Sequence, residues 1–209
     1  MPFVIYLIIF HAAWATWVLI GYPRLKYVGE QTLAYALINL TIRGLVWVLP
    51  VFVYLRWVEK VGPWTYLKLR KHWLRGLLVG LGFSGLNFLV YLAQHGPPRL
   101  GNAGVTWNSI LSTSLLIGFV EELPYRGLIF QKLSECWSVP AAALISSLLF
   151  LTIHLPGWLS LHIYRTPLAV FVFIFGLLMA ILLRYANSLW APIVSHSLND
   201  FFSAVLFRL

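Results

Sequence analysis

The sequence predicts an all-α, polytopic integral membrane bundle of about seven transmembrane helices, and three observations carry that reading. Of 209 residues, 60% are hydrophobic and only 10% charged, with a mean hydropathy of +0.83, whereas soluble domains carry about 25% charged residues. Several separate apolar stretches reach the length of about 20 residues that crosses roughly 30 Å of hydrocarbon. No long polar linker, low-complexity tract or internal repeat interrupts them, so the simplest parse is a single integral membrane domain over residues 1–209. Within it, residues 1–107 supply N-terminal helices and a basic segment, and residues 108–209 supply the candidate core.

The first span covers about 2–20, with Trp14, Trp17 and Tyr22 toward one end, where aromatic rings favour the headgroup region. It lacks the charged start of a cleavable signal peptide and is kept as a span. His11 within it reads as a packed, hydrogen-bonded residue. The second span, 32–55, carries Asn39, Thr41 and Arg43; the arginine has to face protein or water, and pairing with a carboxylate or carbonyls is its simplest role. Residues 56–75 place six cations against the single acid Glu59, interleaved with Trp57, Trp64 and Trp73. That mixture reads as a topology determinant lying on the cytoplasmic membrane surface.

The third span, 74–94, offers Gly76, Gly80, Gly82, Ser84 and Gly85 for close helix packing, with Asn87 as interhelical glue or cavity lining. The loop 95–107 contains Pro97-Pro98 and Gly101-Asn102, both turn signals. The fourth span starts near Asn108 and continues past Pro124 to about 133; spans at 139–155, 167–185 and 189–209 complete the count.

A formal charge of +9 raises the question of nucleic acid. The cations lie mostly between apolar segments, however, where Lys and Arg set topology and meet anionic lipid headgroups, so the partner is the bilayer and not nucleic acid. With residues 56–75 inside, the other face receives Arg24, Lys26, Arg99, Arg165 and Arg208, the minority of the cations, which predicts a cytoplasmic N-terminus. The compact length and short loops favour a prokaryotic cytoplasmic membrane. Cys136, alone, excludes an internal disulfide and a multi-cysteine zinc site and reads as a small packing residue.

Chemistry concentrates at Glu121-Glu122-Leu123-Pro124-Tyr125-Arg126. An ionisable side chain in a bilayer costs roughly 3 kcal/mol on insertion scales, so it is usually paired and functional. Helical spacing makes Arg126 the partner of Glu122 and turns Glu121 about 100° away, free to face a cavity and serve as a general base. His154 follows Phe150 by one helical turn, so the ring walls the imidazole. His196 and Asp200 share a helix face with Asn199 adjacent, and Asp200 is placed to orient the imidazole.

Glu-Glu-x-x-x-Arg, Phe-x-x-x-His and His-x-x-x-Asp thus fall in order on three helices of one membrane protein. In this the chain resembles the CPBP family of intramembrane endopeptidases, the CAAX-protease and bacteriocin-processing (Abi) proteins, which includes Rce1. The resemblance implies a helical membrane protease cutting a peptide bond near the end of a membrane-associated substrate. It assigns water activation to Glu121 and His154, structural roles to Glu122 and Arg126, and oxyanion or orienting roles to His196 and Asp200. Relatives often carry Asn at the last position; here it is Asp200 preceded by Asn199, so Asp200 is better suited to orienting His196 than to donating a hydrogen bond. The family has also been regarded as zinc-dependent, but His-Glu-x-x-His is absent and the metal-free mechanism is favoured, with no cofactor. A transporter using the same buried acids and imidazoles, and a non-catalytic scaffold or immunity protein, are the alternatives.

Depth counting strains this picture. If the fifth span starts at the cytoplasmic surface, His154 lands near the opposite side, away from Glu121 and His196, at about 1.5 Å per residue.

Overall fold

The computed structural model describes residues 2–98, 104–163 and 166–208, apart from the Lys26 side chain. Arg99, the Gly101-Asn102 turn signal and Arg165 lie outside the described residues. The chain is an all-helical polytopic bundle: α1 (Pro2–Leu25), α2 (Leu33–Val58), a short α3 (Pro63–Tyr66), α4 (Trp73–His95), α5 (107–136), α6 (Val139–Ser160), α7 (Thr166–Ala186) and α8 (190–207). Five of these, α1, α2, α4, α6 and α7, are long and apolar enough to cross a membrane. The other two long helices, α5 and α8, carry the glutamate pair and the His196 to Asp200 turn. The seven long helices fall on the seven stretches expected as spans, and five of them meet the length and apolarity of a membrane crossing.

Local chemistry explains where the helices start. The Tyr35 amide donates to Thr32 Oγ1 at 3.1 Å ahead of α2. Thr106 and Ser109 form a reciprocal capping box at the head of α5, and Ser138 caps α6 with Pro140 in its first turn. Such caps satisfy amides that the first turn leaves without partners.

Helices α4 and α8 pack closely. A Cβ on Gly80 would lie 2.8 Å from the Ala191 carbonyl oxygen and 2.9 Å from Val194 Cβ, so only glycine permits this approach. Gly82 and Gly85, by contrast, face open space. Outward side chains such as Ile8, Leu78 and Leu86 are exposed and apolar, the surface that lipid requires.

In α1, Tyr6, Phe10 and Trp14 repeat every fourth residue and form one buried stripe. Trp14 is therefore core and not a headgroup anchor: its Nε1 donates to the Ile153 carbonyl at 3.0 Å and its ring meets Trp47 edge-on at 4.8 Å. His11 lies on the same helix, with Nδ1 2.8 Å from the Leu7 carbonyl and Nε2 3.2 Å from the Tyr125 hydroxyl. Cys136, read as a packing residue, is exposed where α5 ends; the hairpin turn there leaves nothing to cover it.

The basic segment does more than lie on the surface. Leu67 and Leu69 are buried, and the backbone carbonyls around them receive donors from the bundle. Gln131 Nε2 donates to Tyr66 O at 2.9 Å, the Leu189 amide to Lys68 O at 3.2 Å, and Trp190 Nε1 to Leu69 O at 2.8 Å. The turn between α7 and α8 is itself buried at Ser188 and Leu189, and its polar groups need such acceptors. The segment thus seats the start of α8.

Candidate active site

The two acids sit on α5 just before its backbone widens to π geometry over Leu123–Phe130, with Pro124 in the first wide turn supplying no amide hydrogen. Glu122 is fully buried. Its Oε1 accepts from Arg126 Nη1 at 3.2 Å and lies 2.6 Å from His196 Nδ1. Arg126, equally buried, donates through Nη2 to the Gly176 carbonyl at 2.9 Å, and its guanidinium lies 4.4 Å from the Phe150 ring centre. One acid therefore joins α5 to α8, and one arginine joins α5 to α6 and α7.

Glu121 faces a different group. Its Oε1 is 3.5 Å from Arg43 Nη1 and its Oε2 is 3.9 Å from His196 Nε2. Arg43, from α2, also lies over the Trp14 ring at 5.4 Å. His154 sits at a break in α6, where Pro156 has no amide hydrogen to offer the Thr152 carbonyl. Its Nδ1 is 3.0 Å from the Phe150 carbonyl, which leaves Nε2 for the cavity, and its ring contacts Phe150 and Trp158 at 5.0 and 5.4 Å.

On α8, His196 Nε2 is 3.7 Å from Asp200 Oδ2. Asn199 is turned the other way: its Oδ1 accepts from Asn87 Nδ2 at 2.8 Å and from Tyr91 at 3.3 Å, while its Nδ2 donates to Asp200 Oδ1 at 3.0 Å. Asp200 thus meets the imidazole directly and Asn199 acts through it, tying α8 to α4.

Glu121, His154, His196 and Asp200, with Arg43 and Phe175, border one cavity of about 230 Å³. His154 does not sit on the opposite side. Glu121 lies fifteen residues before Cys136, where α5 ends, and His154 fifteen after Val139, where α6 begins. At 1.5 Å per residue each stands roughly 22 Å from the same hairpin turn, so the two arms of the hairpin bring them level. His196 is only six residues into α8 and reaches that level because the basic segment holds the start of α8 inside the bundle.

Three features of the cavity escaped the sequence reading. The bond from Glu122 to His196 joins different helices, beyond what spacing within one helix discloses. Arg43 was legible as an intramembrane cation but not as a neighbour of Glu121. Phe175, whose ring is 4.9 Å from that of His196, sits in an apolar run whose facing cannot be phased from sequence.

Nδ1 of His154 and Nδ1 of His196 are engaged by the Phe150 carbonyl and Glu122, and among the described residues no three His, Cys, Asp or Glu side chains are grouped to hold a metal ion. What remains is a carboxylate, two imidazole nitrogens and a guanidinium around one cavity, in an environment where low dielectric strengthens each charge interaction.

Residues 102–202 match the family model described as Rce1-like, type II CAAX prenyl endopeptidase. Neither a curated protein nor a solved structure matched the chain. The matched stretch, just under half of the sequence, contains both acids, both histidines and Asp200, all of them bordering or bracing the one cavity. Residues 102–202 are thus similar to the Rce1-like, type II CAAX prenyl endopeptidase domain, the part of the chain that carries the candidate site.

Proposed function

We propose that the protein hydrolyses a peptide bond near the end of a membrane-associated substrate, using a water activated by Glu121 and His154 without a metal. The Glu121 carboxylate takes a proton from water while His154 Nε2 accepts the second hydrogen bond and aims the oxygen. The oxygen attacks the scissile carbonyl. His196, acting as an imidazolium whose Nδ1–H is held by Glu122 and which Asp200 flanks, donates its Nε2–H to the oxyanion that forms. Glu121 then returns its proton to the departing amine. Arg43 steadies the Glu121 carboxylate between these transfers.

The observation that carries this reading is the convergence of Glu121, His154 and His196 from three helices on one cavity. A prenylated CaaX tail is the first substrate to try, in keeping with the family's description; leader peptides and C-terminal sorting tails form the rest of the panel. The proposed setting is a prokaryotic cytoplasmic membrane with the N-terminus and residues 56–75 on the cytoplasmic side.

The experiment is cleavage of the panel by purified protein in proteoliposomes. Wild type should cut at least one tail, and Glu121→Gln should cut none while keeping its thermal midpoint. Full activity in Glu121→Gln, or unchanged turnover only when zinc is added back after chelation, would overturn the mechanism.

The buried ionic contacts also favour a second reading, in which the cluster serves only to fasten α2, α5 and α8. In that case Glu121→Gln lowers the midpoint and no tail is cut by any variant.

A further inference from the structure

Helices α6 and α7 come close at Ser147 and Gly176, where a Cβ on the glycine would meet Ser147 Cβ at 2.9 Å and Arg126 Nη2 at 3.1 Å. On one side of that crossing lies the catalytic cavity. On the other the helices part, leaving a groove of about 520 Å³ walled by Phe130, Ala143, Leu144, Leu177, Ile181 and Tyr185. The groove is almost wholly apolar, and Arg184 closes one end.

A second, polar pocket of about 210 Å³ adjoins that end, sharing Phe130 and Arg184 with the groove and adding Lys68. Its acid is already engaged: Glu135 lies 2.9 Å from Lys132 Nζ and accepts from the Tyr66 hydroxyl at 2.7 Å. No carboxylate pairs with Lys68 or Arg184 among the described residues. Partial burial and the charges of Arg184 and Lys71 push the Lys68 amine below its ordinary range, as expected of cations gathered without a counter-ion.

We infer that the groove and pocket together form a binding site for one anionic phospholipid, with an acyl chain along the groove and the phosphate between Lys68 and Arg184. An apolar channel ending in unpaired cations complements an anionic amphiphile better than a zwitterionic one, whose phosphate brings an ammonium of its own toward the same cations. The site also touches the catalytic framework. The Lys68 carbonyl accepts the Leu189 amide at 3.2 Å, so a phosphate on Lys68 would brace the turn from which α8 carries His196.

The test is native mass spectrometry of the purified full chain, with phosphatidylglycerol or phosphatidylcholine added at equal concentration. Wild type should retain one phosphatidylglycerol in preference to phosphatidylcholine. Replacing a cation should weaken retention on the order of fivefold each, so Lys68→Gln with Arg184→Gln should abolish the preference, and Ala143→Trp, which fills the groove, should displace the lipid. Arg70→Gln, which removes an exposed cation outside the pocket, should leave it intact. Equal retention of both lipids by wild type, an undiminished preference in the double variant, or an equal loss in Arg70→Gln would each overturn the proposal.

Discussion

His196 Nδ1 and Glu122 Oε1 lie 2.6 Å apart across the interface between α8 and α5, and the same oxygen accepts from Arg126 at 3.2 Å. A single carboxylate oxygen therefore sets the imidazole's orientation and neutralises the most deeply buried guanidinium. This couples the site's geometry to the packing of the bundle. Glu121, one residue earlier, has no bond to Arg126 or to Nδ1 and faces Arg43 and the cavity instead.

Removing Glu122 should damage stability before it damages anything else. Glu122→Ala strands Arg126, whose Nε already lacks a hydrogen-bond partner, and breaking a buried pair from one side costs about 3–5 kcal/mol. The double variant Glu122→Leu with Arg126→Leu should recover much of that loss, since no charge is stranded. Thermal unfolding in detergent of the two single variants and the double variant measures it; additive losses would show that the two residues do not act as a pair.

The two histidines facing Tyr125 and Phe150 should separate cleanly. His154→Ala should lower turnover by about 100- to 10,000-fold, the usual contribution of a positioned acid or base, and should cost little stability. His11→Ala breaks a contact to Tyr125 outside the cavity, so it should cost about 1 kcal/mol of stability and leave turnover unchanged. Parallel cleavage and melting assays on both variants check this; equal losses of activity would remove His154 from the reaction.

The spans were legible because length and apolarity suffice to mark a helix that must cross about 30 Å. Their relative depth was not, because it depends on tertiary contacts. His154 rises to Glu121 through two equal arms about the turn at Trp137 and Ser138, and His196 through carbonyls of Lys68 and Leu69 that no periodicity marks. Trp14 shows a related limit. A tryptophan near a span's end has the same sequence signature whether it meets headgroups or, as here, donates to Ile153 in the core. For the candidate site, the residue types on each helix were visible, but contacts between helices, such as Arg43 with Glu121, were not.

Glycine positions offer a test of that interhelical geometry. A Cβ on Gly118 would meet the Ile193 carbonyl and come within 2.6 Å of Ser197 Oγ, one turn from Glu121 and flanking His196. Gly118→Ala should therefore part α5 from α8, costing about 1–3 kcal/mol as overpacking does, and lower turnover by separating the acid from the imidazole. Gly82→Ala, with nothing within 4 Å of its Cβ, should be neutral or slightly stabilising. Melting curves and turnover of the two variants distinguish the positions.

The loop side of the bundle should show an acid-sensitive contact of its own. Glu59 lies 2.7 Å from Lys132 Nζ and accepts from the Tyr54 hydroxyl at 2.6 Å. The hydrogen bonds from Lys132 and Tyr54 hold its carboxyl below the usual range. A group whose folded pKa is depressed contributes stability above its unfolded value, and that contribution is lost as pH falls through the folded value. Both partners are about one-fifth exposed, so the contribution should stay below about 1 kcal/mol, or about 2–4 °C in a chain of this size. Glu59→Gln should lower the thermal midpoint by that amount at neutral pH, and the gap from wild type should close in acid. A gap that persists after the carboxyl of wild type has been protonated would mean that packing, and not charge, is what Glu59 contributes.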